Sequence, residues 1–99
     1  MRSGELKGTD AEHPASGSIT VSDGKIKLED VNITEAPDAR VILAKNFDEP
    51  SGVRCGALQG FVGTHEYDIP AGTSVDGFDS VVIWCDQFSV PIGQAQLSA

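Results

Sequence analysis

The chain has 99 residues, enough to close one hydrophobic core, and its composition is that of an ordinary globular domain. Fifteen acidic residues against seven basic ones give a formal net charge of −8 at pH 7. Because phosphates and anionic membrane surfaces are bound by positive fields, this charge argues against nucleic acid and anionic lipid as partners. No apolar run approaches the roughly 20 residues needed to cross a bilayer, so we expect a domain that does not span a membrane.

The first residues are polar and show neither a helical nor a strand period. We therefore predict a flexible lead-in over residues 1–12, partly ordered against a single domain that covers residues 13–99. No apolar stretch follows Met1–Glu5, so we expect no signal peptide in this sequence. A mature exported domain would begin in the same way.

A β-hairpin is predicted where Asp23-Gly24 lies between alternating apolar residues, since this is the strongest short hairpin signal. A two-residue turn there would place the four apolar side chains of the hairpin on one face. The expected pairs are Ser22–Lys25, Val21–Ile26, Thr20–Lys27 and Ile19–Leu28. Val31 and Ile33 break this parity, and a bulge near Glu29-Asp30 would restore it.

Further strands are predicted from alternation and from the turn residues that separate them. They cover Ala39–Ala44, a short segment at Ala57-Leu58, His65–Ile69, Ser80–Cys85, and an alternating run of Phe88, Val90 and Ile92. The stretch from Phe47 to Gly60 is otherwise rich in loop residues. No window shows a sustained helical period, and turn signals recur about every 8–12 residues. These patterns predict an all-β domain, an antiparallel β-sandwich or flattened barrel of about seven to eight strands.

The most informative residue is Cys85, which ends the most apolar and most β-prone run of the chain, Ser80–Cys85. Strand ends are where a buried scaffold presents side chains to solvent, so this is a natural place for chemistry. Cys85 shares strand parity with Val81 and Ile83, however, and a packed, inert thiol is the competing interpretation. The carboxylate of Asp86 next to it disfavours a thiolate. Only the fold could bring the guanidinium of Arg40 or Arg54 close enough to offset it.

Two cysteines, Cys55 and Cys85, allow either one disulfide or two thiols. Their spacing is too wide for a thioredoxin-type pair, and they supply too few ligands for a structural zinc site. A lone thiol has no stable two-electron couple. Redox chemistry at Cys85 therefore requires Cys55 as a second thiol, another molecule, a sulfenic acid, or a bound metal or haem.

Four other side chains are candidates to support a site at Cys85: Trp84, His65, Tyr67 and Phe88. The three aromatic residues could form a cluster near the thiol, although core packing is the default for aromatic side chains in a sandwich. A hydrogen-bonded histidine on a half-buried strand is the plain interpretation of His65. No second histidine follows at ligand spacing, so we expect no metal site. Nothing resembles a nucleophile elbow or an ordered catalytic triad.

Several motifs, taken in chain order, resemble the DM13 domain, which is found in extracellular and envelope proteins and sometimes beside DOMON domains. They are Gly17–Ile19 with Asp23-Gly24, Pro37-Asp38 before Val41–Leu43, Leu58–Gly60, Gly63–Pro70, Ser80–Cys85, Phe88–Val90 and Gly93–Leu97. The resemblance covers residues 13–97 and implies a β-sandwich with an electron-transfer role centred on Cys85. The chain departs from the family in having Ala36 where glycine is usual, and Cys55 matches nothing in the family pattern.

The resemblance implies a module of a redox system in an extracellular, periplasmic or cell-envelope setting. Cys85 would be its redox-active thiol and a protein its redox partner, and we do not expect a stand-alone enzyme. The rival hypothesis is a non-catalytic extracellular binding or adhesion module. In that case Cys85 is a buried core residue, and exposed loops such as 45–57 contact the partner. A haem or metal carrier is the third alternative, with no ligand spacing in its support.

Overall fold

The computed structural model describes residues 2–9, 14–22 and 24–98, and these residues form eight strands and one short 3-10 turn. The strands are β1 (Arg2–Glu5), β2 (Ala15–Ser22), β3 (Lys25–Ile33), β4 (Ala39–Ala44), β5 (Val53–Ala57), β6 (Val62–Asp68), β7 (Ser80–Cys85) and β8 (Val90–Gln96). The 3-10 turn covers Val75–Gly77. None of the described segments is a helix long and apolar enough to cross a membrane.

The eight strands form two antiparallel sheets of four strands each, in the orders β1-β2-β3-β6 and β5-β4-β7-β8. We call them the first and the second sheet. Their apolar faces pack against each other around one core, and the sheets do not close into a barrel. The predicted all-β class and strand number are confirmed, and the architecture is the sandwich.

The β2–β3 hairpin has the predicted register. Its cross-strand pairs are Ser22–Lys25, Val21–Ile26, Thr20–Lys27 and Ile19–Leu28. All four apolar side chains of these pairs are buried in the core between the sheets. Gly24 adopts a φ of +75° at the turn, while Asp23 lies outside the described residues. One buried face therefore fixes the register, because a slip by one residue would turn that whole face outward.

The bulge predicted near Glu29-Asp30 is also present. Asp30 has a φ of +50°, and the pairing of β3 shifts register beside it on both neighbouring strands. The extra residue returns Val31 and Ile33 to the core-facing side of β3, where both are buried. The strand thus stays continuous from residue 25 to residue 33 while its apolar residues keep one face.

Residues 2–5, which the sequence places in the lead-in, form the edge strand β1 against β2. No alternation of apolar and polar residues predicts this strand, because the sequence RSGE is polar throughout. Every second residue of β1 is exposed. Leu6 follows and is buried in the core. Single bridges from Ser3 to Ser98 and from Lys7 to Gln94 then connect this edge to β8 of the second sheet.

Two features of the second sheet differ from the sequence-based expectation. A strand, β5, lies in the stretch predicted to be mostly loop; its exposed arginine and glycine hide the strand pattern. The alternation of Phe88, Val90 and Ile92 does not define one face, because a bulge in β8 shifts its register against β7. Ile92 is buried, whereas Phe88 lies in the β7–β8 turn with 63% of its surface exposed.

A second, smaller apolar cluster lies on the outer face of the second sheet. It consists of the buried residues Ile42, Ala44 and Val82, with Phe47 and Trp84 packed against them. These residues alternate along β4 and β7 with residues of the main core. Both strands are therefore apolar on both faces, which explains why they are the most apolar runs in the sequence.

We predict that Gly17→Ala destabilises the domain by about 1–3 kcal/mol. A Cβ at this glycine, whose φ is +126°, would lie 2.6 Å from Cγ1 and 2.7 Å from Cα of Val31. Gly24→Ala is the matched control, because its φ of +75° is also positive but no atom lies within 4 Å of the added Cβ. Urea denaturation should show the larger loss for Gly17→Ala. Equal losses would contradict the close packing of β2 on the β3 bulge.

Candidate functional site

Cys85 is the last residue of β7, paired with Ala39 of β4 and Val90 of β8. Its side chain is fully buried between the two sheets, on the face that strand parity predicts. Sγ lies 3.1 Å from the carbonyl oxygen of Pro37, to which the thiol donates a hydrogen bond. The thiol proton is thus directed at the turn that precedes β4.

Two turns meet beside this thiol, the turn of residues 36–38 before β4 and the turn of residues 86–89 between β7 and β8. The backbone N–H of Asp86 donates to the carbonyl oxygen of Asp38 at 3.1 Å and ties one turn to the other. Asp38 has a φ of +52°, a left-handed conformation that aspartate adopts at some cost. Ala36 does not adopt a positive φ, as expected for a residue that carries a Cβ. Cys85 has no exposed surface, so a reagent reaches it only when the structure around it opens.

The fold brings two arginines to the carboxylate of Asp86. Nη1 of Arg54 lies 2.9 Å from it and Nε of Arg40 lies 3.4 Å from it, while Arg54 also pairs with Glu49 at 2.7 Å. These side chains are partly exposed, so each pair contributes only about 0–1 kcal/mol to stability. The effect of these ion pairs is local, because the two guanidinium groups balance the negative charge of Asp86, the residue that follows the thiol. No sequence signal connects these residues, which lie far apart along the chain.

Cys55 lies in the edge strand β5, half-buried against the same core, and both cysteines are free thiols. Strand β4 separates β5 from β7 in the sheet. Since neighbouring strands lie about 4.7–4.9 Å apart, the backbones at Cys55 and Cys85 are farther apart than the ~7 Å that a disulfide can span. Burial raises the pKa of the Cys55 thiol, and the backbone N–H of Leu43 opposes this in part.

His65 and Tyr67 lie on the inner face of β6, opposite Leu28 and Ile26 of β3. Their rings meet edge to face, with centroids 6.4 Å apart. The buried hydroxyl of Tyr67 accepts a hydrogen bond from the backbone N–H of Gln59 at 2.9 Å. Burial raises the pKa of Tyr67, and this hydrogen bond opposes the rise.

The sequence predicts a hydrogen-bonded histidine at His65, and for Nδ1 this prediction is wrong. Its Nδ1 is buried without a hydrogen-bond partner among the described residues. Its Nε2 lies over Gly60, where an added Cβ would come within 3.2 Å. The ring therefore packs closely against the backbone at Gly60. Within residues 2–9, 14–22 and 24–98, no three side chains of His, Cys, Asp or Glu gather as a set of metal ligands.

The structure does not bring the three aromatic candidates together. Trp84 follows strand alternation onto the outer face of the second sheet, opposite to Cys85. Phe88 is exposed in the β7–β8 turn, and Tyr67 belongs to the first sheet. The thiol instead packs in the main core and donates its hydrogen bond to the carbonyl oxygen of Pro37, a contact that strand periodicity cannot reveal.

The fold and the site define a small all-β sandwich module with a buried thiol at the end of a central strand. A family model described as "Electron transfer DM13" matches residues 7–97, nearly the whole chain, and the protein belongs to this family. The match begins within the residues predicted to be the lead-in. A search of the curated proteins and a search of the solved structures gave no match.

We predict that the folded domain contains two titratable thiols without prior reduction, and that Cys55 reacts with DTNB before Cys85. Cys55 is half-buried, whereas Cys85 is fully enclosed. The raised pKa of Cys55 should still make it slower than an exposed cysteine at pH 8. Comparing Cys55→Ser with Cys85→Ser assigns the two phases. Thiols that appear only after reduction would contradict the separation of the cysteines by β4.

The burial of the Tyr67 hydroxyl can be tested by titration, because Tyr67 is the single tyrosine of the chain. Its pKa in the folded domain is raised above the ordinary 10.0, so above pH 10 the unfolded chain releases this proton before the folded one does. The free energy of unfolding should therefore fall as the pH rises above 10, and Tyr67→Phe should remove this part of the fall. Tyrosinate absorbance of the folded protein measures the pKa directly. An ordinary pKa would contradict the burial of the hydroxyl.

Proposed function

We propose that this domain is an extracytoplasmic electron-transfer module in which the Cys85 thiol exchanges with a disulfide of a partner protein. Membership of a family described by electron transfer supports the general role. The observation that carries the role of Cys85 is its position at a strand end, next to two short turns, with its thiol hydrogen-bonded to Pro37 in one of them. The domain acts as a module of a redox system and not as a stand-alone enzyme.

Thiol–disulfide exchange lets a lone cysteine take part in two-electron chemistry. Cys85 gives up its proton, and its sulfur bonds to one sulfur of the partner's disulfide. The other partner sulfur leaves as a thiolate and takes up a proton, so the partner's disulfide is broken as a mixed disulfide forms. One thiol of a donor protein that carries a dithiol then attacks the Cys85 sulfur, which releases the partner's second thiol, and the donor's other thiol displaces Cys85 and closes a donor disulfide. Two electrons thus pass from the donor dithiol to the partner's disulfide. Cys55 does not serve as a resolving thiol, because β4 lies between the two cysteines.

An exposed apolar tip beside the thiol supplies a contact for the partner. Phe88 is 63% exposed and Val90 is 38% exposed, and Val90 is the cross-strand neighbour of Cys85. Large exposed apolar side chains at one place are typical of interaction sites. The net charge of −8 favours association with a partner that carries a basic surface. Docking at this tip would place the partner's disulfide next to the two turns that enclose Cys85.

A second function is favoured by one observation, the complete burial of Cys85. A binding or adhesion module would use the same sandwich as a rigid scaffold, with Cys85 as a small apolar core residue. The two functions differ in how the thiol becomes accessible. Electron transfer requires the turns to open while the sheets stay folded, whereas a core thiol opens only with the whole domain.

Thiol labelling of the Cys55→Ser variant at increasing urea, below the unfolding transition, separates these functions. Local opening should label Cys85 at least about tenfold faster than global unfolding allows, with little dependence on urea. The double variant Cys55→Ser with Cys85→Ser, which has no thiol, provides the blank. A labelling rate that follows the global unfolding equilibrium at every urea concentration would contradict the proposal and favour the binding module.

The turn that contains Pro37 should control the opening. Asp38→Ala places a poorer left-handed residue at φ +52° and should increase the labelling rate of Cys85 about fivefold, which corresponds to ~1 kcal/mol. Asp76→Ala is the matched control, since Asp76 is an exposed residue of the 3-10 turn without a positive φ. An unchanged rate in Asp38→Ala would show that this turn does not gate the thiol.

A further inference from the structure

A cleft of about 570 Å³ lies where the edge of the first sheet meets the edge of the second. Its floor is the junction of β1 and β8, which the Ser3–Ser98 and Lys7–Gln94 bridges hold together. This volume is within the range of about 300–1,000 Å³ that is typical of small-molecule sites. The side chains that characterise the lining are Glu5, Lys7, Phe47, Gln94, Gln96 and Ser98.

The lining is neutral and rich in groups that both donate and accept hydrogen bonds. Gln94 and Gln96 contribute amides, Ser98 contributes a hydroxyl, and the charges of Glu5 and Lys7 are opposite in sign. Gln96 uses one N–H for the carbonyl oxygen of Asp79 at 2.9 Å, which leaves its other N–H and its oxygen for a ligand. In a chain of net charge −8, a cleft without net charge favours a neutral, polyhydroxylated ligand over a charged one.

Phe47 is the one large apolar side chain of the lining, and its backbone is strained. Asn46 and Phe47 have φ values of +53° and +60°, and the N–H of Asp48 donates to the carbonyl oxygen of Lys45 at 3.0 Å. Two left-handed central residues are typical of a type I′ turn, which usually has glycine at the second. A bulky residue at this position is an outlier, and such strain concentrates at functional sites.

Two side chains at the start of β7 hold this turn in place. The N–H of Asn46 donates to Oδ1 of Asp79 at 2.8 Å, and the N–H of Phe47 donates to Oγ of Ser80 at 3.1 Å. The Asn46 N–H is also the main reason that the pKa of Asp79 is lowered. The Phe47 ring packs on the outer cluster of the second sheet and also lines the cleft. The ring position is therefore fixed before any ligand arrives.

We propose that this cleft binds a neutral saccharide. The C–H face of a pyranose would lie on the Phe47 ring, and its hydroxyls would exchange hydrogen bonds with the amides of Gln94 and Gln96. An apolar surface beside a few placed polar groups is the general composition of ligand sites, and a sugar ring presents the complementary pair of surfaces. The cleft is near the Ser80 end of β7, whereas Cys85 is at the other end. The site is thus separate from the proposed redox centre.

Binding is tested by NMR on the ¹⁵N-labelled protein with cellobiose, maltose and N,N′-diacetylchitobiose as probes, each at about 10 mM. At least one sugar should shift the amide signals of β1, β8 and residues 45–48, with a dissociation constant in the millimolar range or below. Phe47→Ala should weaken that binding at least tenfold. Phe88→Ala, which removes the exposed phenylalanine of the β7–β8 turn, is the control and should leave it unchanged.

Gln94→Ala keeps the ring and the strained turn, so it tests the cleft even if Phe47→Ala fails to fold. It should also weaken sugar binding, because it removes hydrogen bonds without disturbing the apolar cluster. No shifts at the cleft with any of the three sugars would overturn the proposal. Sugar-induced shifts that persist unchanged in Phe47→Ala or in Gln94→Ala would overturn it as well.

Discussion

The packing of two apolar sheet faces against each other is the interaction on which the rest of this structure depends. Because side chains alternate along a strand, burying one face settles the orientation of every residue in it. The bulge at Asp30 exists because Val31 and Ile33 must reach the same face as Ile26 and Leu28. The same rule turns Cys85 inward and Trp84 outward at the end of β7. The thiol is thus buried as a consequence of the sandwich and not of a dedicated pocket.

The proposed function depends on the position of the thiol at a strand end. The middle of a sheet can be opened only by breaking strand pairing, whereas Cys85 ends β7 next to two short turns that one backbone hydrogen bond ties together. Loops and turns open at lower free energies than core strands do. The partners of Asp86 add to this arrangement, since Arg40 and Arg54 neutralise the carboxylate beside the thiol. On the proposed function, the thiol stays inactive until a partner displaces these turns.

Sequence periodicity predicts the strands and registers that follow from a regular buried face, and it predicts few other features. It predicts the β2–β3 register, the bulge, and the strands β4 and β7, because each has a regular apolar face. It misses β1 and all of β5 except Ala57, because these are edge strands with polar residues and a glycine in place of a regular apolar face. It does not predict that Trp84, Tyr67 and Phe88 lie apart, because that depends on sheet order and a β8 bulge. The contact of Cys85 with Pro37 and the pairing of Asp86 with two arginines arise from tertiary structure, which no local pattern encodes.

The most direct test of the role proposed for Cys85 is the intact mass of the folded Cys55→Ser variant after equilibration with oxidised glutathione. Glutathione disulfide stands in for the partner's disulfide and undergoes the same exchange. We expect one glutathione adduct, located at Cys85 by peptide mapping, on a domain whose circular dichroism stays that of the folded protein. A domain that remains unmodified while folded, and takes up glutathione only when denatured, would show that Cys85 is a core residue and not a redox thiol.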